Sequence, residues 1–359
     1  MVYQQSEQAA RIAYGTACKL APPAAGAMRS HAAVVTVREF AARSLPSLLR
    51  ALAFPAVLWL AGCALVPAGG VRVPAPQQVA PGVYAVIGQT AEPAPENHGA
   101  VANQGILIGD DGVILIDTGT SERYAQALIA TVRRLTDKPI VLAIDTHQHP
   151  AFIFGNGALA SQGVPILAHR DVADLIEQRC DKCLKNLNAI LGADEMAGTR
   201  VTVPSRIITD ATSITIAGRV LDILYFGQTS SPGAIAVYDR SSGVLFGGGM
   251  VTIGRIPDTK DARIDAWRDA LLRLKRRAPR LMVPGEGPVA PVARVDELDA
   301  YLGALQAVVT QTYLRGVSLG DAGARSELPA FSKMPLYRPA HNKNVEQLYL
   351  LQERATLNR

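Results

Sequence analysis

The chain has only four cysteines in 359 residues, and two of them, Cys18 and Cys63, fall in its N-terminal stretch. Cys180 and Cys183 are then the one remaining pair. No second Cys-x-x-Cys completes a tetrahedral metal site, and Leu184 rather than His follows, so covalent haem attachment is excluded. There is no Gly-x-Ser-x-Gly elbow and no Gly-rich phosphate loop, which removes serine-hydrolase and nucleotide-binding readings. No stripe of Lys and Arg interleaved with aromatics is present, so the net charge of +5 does not indicate nucleic acid. Residues 1–62 carry six Lys/Arg against two Asp/Glu, which accounts for four of those five charges and leaves the rest nearly neutral. No internal repeat is visible.

Long apolar runs are also scarce. The stretch 51–61 contains Pro55 and falls short of the roughly 20 residues that span a bilayer. Arg38, Arg43 and Arg50 precede it, and it closes in Leu60-Ala61-Gly62-Cys63, the order of a secretory signal: charge, apolar core, small-residue cleavage site. The Leu-Ala-Gly-Cys ending resembles a bacterial lipobox, which implies a lipidated Cys63 and a periplasmic protein held to a membrane by its N-terminal lipid. The alternative is an uncleaved anchor or a buried helix. Residues 1–62 therefore read as a leader, with Met1 and Met28 as alternative starts, and residues 63–81, rich in Pro, Gly and Ala, as a tether. In that oxidising compartment Cys180 and Cys183 are expected as a local disulfide. A redox pair, or two reduced thiols on one continuous helix, are the alternatives.

The remainder alternates strand and helix signals. Apolar runs predict strands at 83–87, 105–108, 113–116, 140–144, 165–167, 213–216, 221–225, 234–238, 244–246 and 281–283. Helices are predicted from the N-cap Ser121 to 135, over 171–177 and over 262–277. This order specifies an α/β protein. Asp117, ending its strand, is expected to hold loops by hydrogen bonds; His98 to be a solvated loop residue; His169 to cap the helix after it.

The most specific chemistry lies in Thr146-His147-Gln148-His149-Pro150-Ala151-Phe152, where a strand hands over to a loop. His-x-His opens a zinc site, yet the Asp and His that should continue it are Ala151 and Phe152. Four further stations accompany it: Asp117-Thr118-Gly119, Gln228-Thr229-Ser230-Ser231-Pro232-Gly233, Val244-Leu245-Phe246-Gly247-Gly248-Gly249 and Pro284-Gly285-Glu286-Gly287. From about residue 79 to about 291 the chain resembles the metallo-β-lactamase-fold hydrolases. That resemblance implies a four-layer αββα sandwich over 82–291, with residues 292–359 as a helical extension packed on it. Pro150-x-x-x-Phe154-Gly155-Asn156 and the tail His341-Asn342-Lys343-Asn344-Val345 resemble the quinoprotein relay system zinc metallohydrolase branch, which accompanies dehydrogenases using pyrroloquinoline quinone.

Carried over residue by residue, the resemblance implies a degenerate metal site. Only His147 and His149 match the usual ligands. Ala151 stands for the Asp, Phe152 for the next His, Ser230 for the third-station His, Gly249 for the bridging Asp and Glu286 for the last His, while Gly119, Pro232, Gly233, Gly285 and Gly287 remain. Bound zinc lowers the pKa of its water from about 15.7 to about 7, and a catalytic site normally supplies three protein ligands and one open position. Two imidazoles fall short of that. The favoured expectation is a pseudoenzyme without a cofactor that binds a ligand or a periplasmic protein partner. One alternative is a mononuclear hydrolase holding a single zinc or iron ion on His147, His149 and Glu286; another is a structural envelope protein.

Overall fold

The structure is a computed structural model and describes residue 71 and residues 73–357. The leader and Cys63 lie outside the described residues. The first sheet follows chain order: β1 (Gln77–Ala80), β2 (Val83–Val86), β3 (Gln104–Ile108), β4 (Val113–Ile116), β5 (Ile140–Ile144), β6 (Ile166–His169) and β7 (Arg206–Ile208). Pairing is antiparallel from β1 to β4 and parallel from β4 to β7. Parallel neighbours need crossover connections, here α1 (Glu122–Leu135), the short α2 (Pro150–Ile153) and α3 (Asn156–Ala160), and α4 (Arg170–Leu191). The second sheet holds β8 (Thr212–Ile216), β9 (Arg219–Tyr225), β10 (Ile235–Asp239), β11 (Val244–Thr252) and β12 (Leu281–Glu286) in the order β12-β11-β10-β9-β8. Its parallel pair, β11 and β12, is joined through α5 (Ile264–Arg276). Three helices follow: α6 (Val295–Leu314), α7 (Leu319–Arg325) and α8 (Tyr337–Leu357).

Period-two alternation sorts the strands into layers. Leu107, Ile114, Ile116, Leu142 and Ile144 face inward and meet Ile223, Val237 and Phe246 of the second sheet. Their neighbours Ile106, Leu115 and Ala143 face outward and meet Leu128, Ile129 and Val132 of α1. On the far side Leu245, Met250 and Met282 pack on Trp267 and Leu271 of α5, Leu302 and Leu305 of α6, and Val345 of α8. The result is helix, sheet, sheet, helix, as the resemblance implies. Among the described residues no helix is long and apolar enough to cross a membrane.

One side chain clasps the two sheets at the end opposite the His-x-His loop. Arg219 on β9 donates to Asp239 at 2.6 Å within its own sheet, and its Nη2 reaches the carbonyls of Ile108 at 2.9 Å and Pro81 at 3.4 Å in the other. Both charges are buried and matched, as an ion pair in a protein interior must be.

Several boundaries differ from the sequence reading, and two of them change an assignment. Residues 77–80, assigned to the tether, form β1 paired with β2, because Val79 and Ala80 pack against the inter-sheet core. The helix expected over 171–177 continues to Leu191: beyond the charged run, Cys180, Leu187 and Leu191 keep to the buried stripe already set by Val172 and Ile176. Cys180 and Cys183 therefore sit on one unbroken helix as free thiols, not as the disulfide expected.

Candidate functional site

The five stations converge where β4, β5, β11 and β12 end and the loop before β10 begins. Asp117 leaves β4 with φ of 60°, a left-handed backbone for a non-glycine residue, and its carboxylate accepts from Thr146 N at 2.8 Å and from Thr146 Oγ1 at 2.9 Å. The turn that follows is hooked to the His loop, since the Phe152 carbonyl accepts from Thr118 N at 2.7 Å and Gly119 N at 3.0 Å. Asp117 thus holds loops, as expected. The loop carrying Ser230 is tied in through Ile235 N, which donates to the Thr146 carbonyl at 2.9 Å.

His147 is buried, with Nδ1 3.3 Å from the Thr146 hydroxyl. Burial, with His149 nearby, holds its pKa well below the usual histidine range, so the ring is neutral at pH 7. His149 caps α2, its Nδ1 accepting from Ala151 N at 3.4 Å. The Phe152 ring stands edge-on to His147, centroids 4.1 Å apart, and 5.9 Å from that of His149. Gly249 lies so close to His147 that a Cβ there would strike the imidazole, and a Cβ at Gly285 would come 3.1 Å from the Phe152 ring. Ala151 is buried in α2.

Glu286, at the end of β12, turns elsewhere. Its Oε1 accepts from Arg255 Nη1 at 3.2 Å, a largely buried ion pair. Among the described residues no three His, Cys, Asp or Glu side chains converge as a metal-binding group. The set His147, His149 and Glu286 does not assemble, for the physical reason that Arg255 offers the carboxylate a cation of its own.

Several participants carried no motif. Asp145 accepts from Asn156 at 2.6 Å, and Asn156 accepts from Thr118 at 2.8 Å, a buried polar chain behind the His loop. Burial raises the Asp145 pKa to about 8 against that hydrogen bond; Asp117 is pushed well above the carboxylate range, first by burial and in part by the neighbouring Asp145. Asp261 is a hub: it accepts from Arg179 at 2.9 Å and Gln148 at 3.4 Å, and its carbonyl takes Gln228 Nε2 at 2.9 Å. Asn156 stood in the quoted Pro-x-x-x-Phe-Gly-Asn run; Arg255 and Asp261 stood in no pattern. His98 pairs with Glu195 at 2.8 Å instead of being solvated alone, and His169 caps α4 through Asp171 N at 3.2 Å.

A model of the metallo-beta-lactamase superfamily matches residues 99–286, more than half of the chain. The chain belongs to the metallo-β-lactamase superfamily. It is similar to the metallo-beta-lactamase type 2 of Bacteroides fragilis, 26% identical over 198 residues that cover 54% of this chain and 72% of that one. A linear primary-alkylsulfatase of a Pseudomonas species is 27% identical over 223 residues, 52% of this chain and 42% of the sulfatase, so well under half of that protein's length is matched. Among solved structures, a metallo-beta-lactamase from Pontibacter korlensis superposes with TM-score 0.52 at 22% identity, covering 64% of this chain and 98% of that one. The DIM-1 metallo-beta-lactamase exposed to ceftazidime gives 0.51 at 17%, covering 65% and 98%. At such identities the structural likeness establishes the fold.

Metallo-β-lactamases usually bind zinc, and this member's residues do not fit a zinc pair. The second imidazole position holds the Phe152 ring against His147, the bridging carboxylate position holds a glycine with no room for a side chain, and Glu286 is committed to Arg255. These are the positions that the resemblance assigns to ligands, and each is filled by another contact or lacks room for a ligating side chain.

Proposed function

We propose that this chain is a non-catalytic metallo-β-lactamase-fold protein, a binding or accessory component of the bacterial envelope carried on a lipidated Cys63. The likeness of its motifs to the quinoprotein relay branch supports a place beside a periplasmic, quinone-dependent oxidation system. One observation carries the loss of hydrolysis: Phe152 on His147 and Arg255 on Glu286 occupy, with good contacts, the positions from which a metal would be held. Binding in place of mere structure is supported by the polar atoms around them. Gln148 Oε1, Thr229 Oγ1, Ser230 Oγ, Ser231 Oγ, Arg255 Nε and Thr259 Oγ1 are buried without a hydrogen-bond partner, six of ten such side-chain atoms among the described residues. Each such atom costs about 1–3 kcal/mol when left unmade. Their concentration on the loops that Asp261 ties together fits a ligand or partner that offers hydrogen bonds.

Elemental analysis of the purified protein, with turnover on lactam, ester and thioester substrates, tests this reading. Sub-stoichiometric metal and no chelator-sensitive hydrolysis are expected. Two metals per chain, or fast hydrolysis abolished by a chelator, overturn it; one metal lost on changing His147 or His149 would establish the mononuclear alternative instead.

A further inference from the structure

Cys180 and Cys183 belong to none of the stations above. They stand three residues apart on α4, a spacing that puts both side chains on one helix face. Cys180 is fully buried in the cluster that contains Phe152 and Ile153, whereas Cys183 is half-exposed at its edge. The Cys183 thiol donates to the Arg179 carbonyl at 3.4 Å, and the Cys180 thiol interacts electrostatically with Cys183. The charges of Lys260 and Arg179 act on Cys183, and those of Asp181 and Arg179 on Cys180.

We propose that this pair is a thiol–disulfide exchange site for a low-molecular-weight disulfide, with Cys183 attacking, Cys180 resolving, and closure of the Cys180–Cys183 bond transmitted to the His loop through Arg179, Asp261 and Gln148. The proposal does not depend on what the site binds. In the first step the Cys183 thiolate attacks one sulfur of R–S–S–R, forming a mixed disulfide and expelling one thiolate, which takes a proton from water. Cys180 then loses its proton to solvent and attacks Cys183 Sγ, expelling the second thiolate. Two cysteine thiols are oxidised and one external disulfide is reduced to two thiols.

The division of labour follows from the surroundings. Cys183 is the half-exposed thiol of the two, and interaction with Cys180, aided by Lys260 and Arg179, pulls its pKa below the usual thiol range, so it is the one placed to attack. The same interaction and burial push Cys180 upward, which suits a residue that acts second. Helix geometry supplies reversibility. Side chains at i and i+3 place their Cβ atoms about 5–6 Å apart, but a disulfide needs about 3.5–4.5 Å. Closure must tighten the turn 180–183, and a strained bond is a readily reduced one. That turn begins at Arg179, whose guanidinium grips Asp261 at 2.9 Å; Asp261 in turn accepts from Gln148, between the two histidines, at 3.4 Å.

The test treats the whole protein and the variants Cys180→Ser and Cys183→Ser with oxidised glutathione, followed by mass spectrometry. The wild type should end two hydrogens lighter in the peptide holding both cysteines and return with dithiothreitol. Cys180→Ser should stop at the mixed disulfide on Cys183, and the remaining thiol of Cys183→Ser should react about tenfold more slowly or worse. A wild type that stops at a mixed disulfide, or a Cys180 modified first, overturns the exchange site. Hydrogen exchange in residues 147–151 should rise on oxidation, and in Arg179→Gln without it; exchange unmoved by oxidation overturns the link to the His loop.

Discussion

Asp145 shows how one buried side chain sets a pH dependence. Its folded pKa is raised to about 8, chiefly by burial, whereas an unfolded carboxyl titrates near about 3.9. Its contribution to stability is therefore complete below about pH 4 and declines as pH rises toward about 8, because across that window the unfolded chain has released a proton the folded chain keeps. Asp145→Asn keeps an acceptor for Asn156 and cannot ionise. Urea unfolding should show the variant more stable than the wild type at pH 8.5, by on the order of a few kcal/mol, with a smaller gap at pH 5.5. Parallel curves would mean that Asp145 is ionised in the folded protein. The family resemblance indicated which residues stand at the ligand positions, because His147, His149, Phe152, Gly249 and Glu286 fall in three of the five stations that carry it. It could not expose Arg255, because a cation that folds back on Glu286 from the neighbouring strand end leaves no periodic trace.

At the scale of elements, strand signals were legible wherever burial alternates or is continuous, as in 113–116 and 140–144. The Ser121 cap was legible as well: its hydroxyl accepts from Tyr124 N at 3.0 Å, at the start of a helix ending at Leu135. What failed was extent. β11 runs through Gly247-Gly248-Gly249 to Thr252, beyond the three apolar residues that announced it, with irregular register across the glycines; glycine weakens a strand signal while marking close approach. Arg219 joins elements that are far apart in sequence, and its loss should be costly. Arg219→Ala leaves Asp239 buried and the Ile108 and Pro81 carbonyls short of a donor. Chemical denaturation should report a loss of about 3–5 kcal/mol with the strand-end site intact; a change under about 1 kcal/mol would show that water replaces the clasp at little cost.

For the whole molecule, α6 and α8 are part of the core as well as an extension of it. Deleting residues 292–357 would strip Leu298, Leu302, Leu305, Val309 and Val345 from the face formed by Met250, Leu271 and Met282, an apolar exposure large enough to cause aggregation. The truncated chain should fail to give soluble, cooperatively unfolding protein. Asn344 makes the dependence local: it accepts from Thr259 N at 3.1 Å and donates to the Pro257 carbonyl at 2.9 Å, gripping the segment that leads into Asp261. The proposed envelope address is a separate matter and rests on Leu60-Ala61-Gly62-Cys63. Cys63→Ser should release the protein from the membrane fraction or block its processing; unchanged fractionation with an uncleaved N-terminus would refute lipidation. The contact between Gly249 and His147 has a consequence for history. A carboxylate cannot return at 249 until the imidazole moves, the imidazole is held by Phe152, and an imidazole at 286 would strand Arg255. On the proposed reading, a carboxylate at 249 or an imidazole at 286 would each disturb a packed contact or an ion pair before any metal could be held, so neither change alone is expected to give a two-metal site.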